Sequence, residues 1–135
     1  MTYKNKWVVG DSASVSGVFD TESVAEFAAL SGDNNPLHLD EEYAKTTRFN
    51  GRIVHGFLYG SLLSKVIATK LPGEGSVYLE QEMKFLNPVR HGEEVTAFVI
   101  IDRIDDVRNI FYLKTDCYVT DRKVIEGFAK VMYCE

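Results

Sequence analysis

No stretch of this sequence approaches the roughly 20 consecutive apolar residues that a membrane-spanning helix requires, so no such helix is expected. Cysteine is scarce: Cys117 and Cys134 stand far apart without a paired-cysteine motif, which excludes a disulfide framework or a thiolate metal site as the organiser of the fold. Each falls in a strand-like stretch, where a reduced thiol behaves as a small hydrophobe. Basic residues are in deficit, 15 against 20 acidic, for a net charge of −5. That balance argues against a nucleic-acid surface and requires any anionic ligand to find a local cluster of cations. Internal repeats, low-complexity tracts and linkers are also missing. The start, Met1 to Trp7, has no apolar run behind its lysines, unlike a secretory signal, so the cytoplasm is the expected location. A chain of 135 residues buries enough surface for one core, and a single domain over 1–135 is expected.

What the sequence does have is concentrated between Ser31 and Leu71. Gly32-Asp33-Asn34-Asn35-Pro36-Leu37-His38 places a carboxylate and an imidazole on a segment that Pro36 keeps from being continuously helical, because proline disfavours helical geometry at Asn35. Asp33 and His38 therefore meet only if this loop folds around them. Asp40 is placed to cap a short helix over Glu41 to Lys45, and Gly51 turns the chain between Arg48 and Arg52. From Gly56 to Leu71 the pattern is helical and, through Phe57, Leu58, Leu62, Leu63, Val66 and Ile67, nearly apolar all round, so this helix is expected to be enclosed. Gly56, Gly60 and Ser64 recur every four residues as a strip of small side chains, open either to an extended ligand or to a closely packed strand.

The flanking segments read as a sheet. Trp7 to Val9 could begin an edge strand, Ser12 to Phe19 alternates in the strand period, and Thr21 to Leu30 has helical spacing, with Asp20 or Thr21 as its cap and Gly32 as its stop. After Leu71-Pro72-Gly73 come four strand-like runs, Val77–Phe85, Val95–Ile104, Phe111–Val119 and Val124–Cys134, separated by turn residues. They suggest an antiparallel meander with Val95–Ile104, the more apolar run, at its centre. A long buried helix followed by such a sheet is an α+β layer architecture.

Gly32-Asp33-Asn34-Asn35-Pro36-Leu37-His38, followed by Ile53-Val54-His55-Gly56-Phe57, resembles the signature of the MaoC-like dehydratases and R-specific enoyl-CoA hydratases, which have the hot-dog fold. The Gly-Ser-Val-Tyr-Leu, Phe-Leu-Asn-Pro-Val and Gly-Glu-Glu-Val runs further on also resemble that family. The resemblance implies a long central helix wrapped by an antiparallel sheet, and syn addition of water to a trans-2-enoyl thioester giving the R-3-hydroxyacyl thioester, or its reverse. It implies Asp33 and His38 as the catalytic pair, Gly56 as an N–H donor to the thioester oxygen, and Ser64 in the pocket. It implies a homodimer, with coenzyme A entering as part of an acyl-CoA substrate at a subunit interface and no separate cofactor.

The physical chemistry runs parallel to the resemblance. Hydration needs a base for water, an acid for the α-carbon and donors aimed at the enolate oxygen that develops between those steps. A carboxylate and an imidazole sharing one water can make both proton transfers, and a glycine at a helix N-terminus offers an unhindered N–H where the dipole favours negative charge. Asn35 and His55 are expected to hold or orient the loop, and Tyr59 to pack in the core. Arg48, Arg52, Lys84, Arg90 and Arg103 are the candidate cations for the coenzyme's phosphates. Oxygen and nitrogen donors near Asp33 and His38 lack a metal-binding spacing, so no metal is expected. A hot-dog thioesterase, an acyl-carrier-protein dehydratase and a non-catalytic thioester-binding module are the rival readings. Acyl chain length, carrier, pathway, oligomeric state beyond a dimer and the order in which Asp33 and His38 take a proton stay open from sequence.

Overall fold

The helix that begins at Gly56 is the centre of the molecule because most of its circumference is apolar. The computed structural model describes residues 6–134. Its elements run β1 (Ser12–Val18), α1 (Thr21–Ser31), α2 (Pro36–Leu39), α3 (Glu41–Ala44), α4 (Gly56–Thr69), β2 (Ser76–Phe85), β3 (Glu94–Asp105), β4 (Ile110–Val119) and β5 (Arg122–Tyr133). Helix α4 buries Tyr59, Leu62, Leu63, Val66 and Ile67, and these join Val95, Ala97, Val99, Phe111, Leu113 and Ile125 from the sheet in one core cluster. Leu63 is 1% exposed, so truncating it to alanine should cost about 2–5 kcal/mol in lost transfer energy and cavity formation. Phe57 departs from the expected enclosure. It is 69% exposed, because it projects from the first turn of α4 beyond the cover of the sheet.

One antiparallel sheet in the order β1-β3-β4-β5-β2 wraps this helix. Only β3, β4 and β5 form a meander. Strand β2 pairs with β5, from Ser76 opposite Tyr133 to Phe85 opposite Ile125, so it closes one edge of the sheet instead of lying beside β3. The central strand is accordingly β4, not the expected Val95–Ile104 run. Its inward residues Phe111, Leu113, Thr115, Cys117 and Val119 are all buried, whereas Phe98 and Ile100 of β3 stay 40% exposed on the outer face. Apolar content thus misled the placement, because β3 carries apolar residues on both faces.

The segment Trp7–Val9 forms no strand. Val8 and Asp11 instead close a turn, with Asp11 N–H donating to the Val8 carbonyl (3.1 Å) and Val8 N–H to Asp11 Oδ2 (3.0 Å). Helix α1 starts and stops on local chemistry. Asp20 accepts from Ser23 N–H (2.8 Å) and Ser23 Oγ–H (2.9 Å), bonds that hold its carboxyl below the usual range, and Gly32 ends the helix at φ 80°. Cys134 lies one residue past β5 and is exposed, outside the strand expected to contain it, while Cys117 is buried and burial pushes its thiol up to about 12. Among the described residues no helix is long and apolar enough to cross a membrane.

Candidate active site

The turn between α1 and α4 is built from side chains that bond their own backbone. Ser31 Oγ accepts from Asp33 N–H (3.1 Å), and Asp33 Oδ1 accepts from Asn35 N–H (3.3 Å). Asn35 Oδ1 accepts from Leu37 N–H (3.0 Å). Asn35 is extended, with ψ 127°, as a residue before proline prefers. Pro36 then begins a helical turn, because its fixed φ and missing N–H suit a first helical position. His38 therefore stands on the one-turn helix α2 rather than on irregular loop, which corrects the sequence expectation. Proline breaks the helix before itself and starts another after.

His38 and His55 are fixed by carbonyl groups, and that fixes their tautomers. His38 Nδ1 lies 2.8 Å from the Ile53 carbonyl oxygen. A carbonyl only accepts, so Nδ1 carries the proton and neutral His38 presents Nε2 as an acceptor. His55 donates from Nε2 to the Asp33 carbonyl (2.9 Å). Its Nδ1 is buried without a hydrogen-bond partner among the described residues. The two rings stack at 3.8 Å with planes 25° apart, and Phe27 meets His55 edge-on at 4.9 Å. Burial lowers the pKa of His55 from its ordinary 6.5, against the opposing pull of its hydrogen bond to the Asp33 carbonyl, and the neighbouring His38 adds a smaller lowering.

Asp33, His38 and His55 bring ligand atoms within 4.8 Å of one another. An ion bound to an imidazole nitrogen lies near that ring's plane at about 2 Å. Two nearly parallel stacked rings cannot both satisfy this for one ion, so the three donors lie near each other without converging.

Asp33, His38, His55 and Gly56 line a cavity of about 900 Å³ whose other wall is apolar, with Phe27, Phe49, Phe57, Tyr59, Phe85 and Leu86. The N-terminus of α4 opens into it, and no side chain caps that helix. Its first N–H groups have no intrahelical acceptor, which makes Gly56 a ready donor to an oxyanion. Tyr59 is pushed up to about 12 by burial and so stays protonated at the cavity wall. The arrangement brings the Asp33 carboxyl group, the His38 imidazole and a helix amide around one space.

The remaining expected site residues are dispersed. Ser64 is exposed two turns along α4 and does not line this cavity. The glycine strip is filled by β2 side chains. A Cβ on Gly60 would lie 3.2 Å from Met83 Sδ, and one on Gly56 would overlap the Phe85 ring. Of the five candidate cations only Arg48 lines the cavity, beside Phe49. Arg52 is paired with Glu41 (3.1 Å) and Arg90 donates to the Gly51 carbonyl (3.2 Å), both around a separate small cleft. Lys84 is exposed on β2, and Arg103 lies 3.8 Å over the Tyr112 ring. The aromatic wall, Phe27 and Phe85 above all, escaped the sequence reading. The only signal for Phe85 was its place just before the Leu86-Asn87-Pro88 strand end.

Helix, wrapping sheet and this polar group beside a helix amide define a hot-dog protein equipped for acid–base chemistry. Residues 7–123 match the family model described as a MaoC like domain, and the chain belongs to that family. It is 42% identical over 123 residues to the (R)-specific enoyl-CoA hydratase of Rhodospirillum rubrum, covering 91% of this chain and 85% of that protein. It is 48% identical over 107 residues to the (R)-specific enoyl-CoA hydratase of Aeromonas caviae, covering 79% and 80%. The solved structure of an A. caviae (R)-hydratase involved in PHA biosynthesis superposes with a TM-score of 0.91 at 42% identity, over 94% of this chain and 97% of that one.

Proposed function

We propose that this protein, taken as one MaoC-like unit over 1–135, is an (R)-specific enoyl-CoA hydratase that adds water reversibly across a trans-2-enoyl-CoA. The observation that carries the reading is the 2.8 Å contact of His38 Nδ1 with the Ile53 carbonyl, from which its tautomer follows. Its Nδ1–H is committed to the Ile53 carbonyl, so Nε2 is an acceptor on a ring sharing a cavity with Asp33 and the start of α4. A water held between Asp33 and His38 gives a proton to His38 Nε2 while its oxygen attacks the β-carbon. The π electrons move toward the thioester oxygen, where the Gly56 N–H and the helix dipole receive the developing charge. The proton then returns from the pair to the α-carbon on the face the water came from, so H and OH add syn. His55 and Asn35 hold the pair in place, one through the Asp33 carbonyl and the other by capping α2.

No resident cofactor enters these steps, since coenzyme A arrives with the substrate. Arg48 is the cation we assign to the coenzyme, because it is the one of the five candidates on the cavity wall. The edge strand β2 exposes Val77 and Leu79, which supports pairing of this edge in a homodimer. A cytoplasmic location fits a coenzyme A substrate. The test is hydration of crotonyl-CoA by the purified protein, with chiral analysis of the product. (R)-3-hydroxybutyryl-CoA is expected, and release of free coenzyme A without it would favour a thioesterase.

A further inference from the structure

Gly56 carries two duties, and only one of them concerns its N–H. A Cβ built on it would lie 2.4 Å from Phe85 Cε1, 2.7 Å from Cδ1 and 3.0 Å from Cζ, so the Phe85 ring occupies the space of a side chain at position 56. A Cβ there would force the whole ring to swing aside, a larger shift than the Met83 thioether must make at Gly60, where the same construction meets Sδ at 3.2 Å. Phe85 is the last residue of β2, opposite Ile125, and the next N–H, of Leu86, donates to the Val124 carbonyl (2.9 Å). The register of the sheet therefore delivers the ring to the start of α4. There it is flanked by Phe57 at 6.2 Å and edge-on by Tyr59 at 6.3 Å, and it is 48% exposed, facing the cavity instead of the core.

We propose that Phe85 and Gly56 form one specificity element, in which the ring sets how wide an acyl chain can lie beside the Gly56 amide. The inference rests on the hydratase reading. The ring excludes chains with bulk close to the reacting carbons, and the missing Cβ lets the ring lie close against the helix start. Alanine at 56 keeps the N–H, so a Gly56→Ala variant removes the fit to Phe85 without removing the donor.

The experiment compares steady-state hydration of crotonyl-CoA and the bulkier cinnamoyl-CoA by the wild type, Phe85→Ala, Phe85→Leu, Gly56→Ala, Gly56→Ala/Phe85→Ala and Gly60→Ala. Removing a wall of this size should raise the cinnamoyl-to-crotonyl ratio of kcat/KM about tenfold or more in Phe85→Ala, mainly through KM, with Phe85→Leu between. Gly56→Ala should lower crotonyl-CoA kcat/KM by about 10²-fold, the double variant should regain about tenfold of that loss, and Gly60→Ala should stay within about twofold of wild type. A ratio unmoved in both Phe85 variants, or a double variant no better than Gly56→Ala, overturns the proposal. Calorimetric binding of butyryl-CoA and 3-phenylpropionyl-CoA, which have no double bond to hydrate, separates the two failures. A wild type that binds them but does not hydrate crotonyl-CoA sinks the hydratase reading, while the Phe85 variants' relative affinity for the two thioesters still decides the role of the ring.

Discussion

The cavity beside Gly56 has two walls of different origin. The polar wall, with Asp33, His38 and His55, comes from one continuous segment, and each of its groups is held by a bond to backbone of that same segment. The apolar wall brings Phe27 from α1, Phe57 and Tyr59 from α4 and Phe85 from the end of β2, residues joined only through packing. The difference separates roles. Groups fixed by local hydrogen bonds keep the angles that proton transfer needs, while side chains supplied by distant elements give shape, and shape governs which substrate fits.

If that division holds, polar-wall substitutions act on kcat. The largest effect is expected for Asp33→Asn and His38→Ala, each lowering crotonyl-CoA turnover by about 10² to 10⁴. The double variant should fall little below the worse single one, because the two groups act on the same water. Multiplying losses would instead show them working independently. Thermal unfolding of each variant checks that the fold is kept.

The two walls also differ in how far they were legible beforehand. Asp33, His38 and Gly56 were readable because a short motif encodes a locally folded turn, with Pro36 and the glycines as its punctuation. The buried face of α4 was readable from its period. The position of β2 against β5, the exposure of Phe57 and the presence of Phe85 over Gly56 were not, since each depends on which strand pairs with which, and apolar alternation does not specify a partner. Ser64 shares the four-residue strip with Gly56, and the helix carries it two turns along to an exposed position that does not line this cavity.

His55 tests whether holding the polar wall matters as much as forming it. His55→Leu leaves the Asp33 carbonyl without its donor and removes the ring stacked on His38. A drop of about tenfold to 10² in kcat is expected from the misplaced pair, along with about 1–3 kcal/mol of stability from the unpaired carbonyl. A kcat unchanged within error would mean that α2 holds His38 without help. On the other wall, Phe57→Ala should raise KM for a medium-chain enoyl-CoA about threefold to tenfold and leave kcat within about twofold. A fall in kcat alone would break the separation of roles. Arg48→Ala should raise KM about threefold, an effect that shrinks with added salt because Arg48 is exposed.

The smallest effect is on stability against pH. The folded pKa of His55 is lowered, chiefly by desolvation, and that of His91 is lowered by desolvation and by Arg52. Between those lowered values and the ordinary 6.5, the unfolded chain binds more protons than the folded one, so stability rises with pH across that window. The stabilisation is complete above about 6.5 and is lost as pH falls toward the folded values. Thermal midpoints recorded between about pH 7.5 and 5 should decline toward acid, and His55→Leu should flatten part of that decline.

Hydration of crotonyl-CoA in deuterium oxide, read by NMR at the α-carbon, bears most directly on a single water handled by Asp33 and His38 beside the Gly56 amide. One deuterium at the α-carbon, on the same face as the new hydroxyl, in a product that is entirely R at the β-carbon is the predicted result. Deuterium on the opposite face, or spread over both, would contradict it.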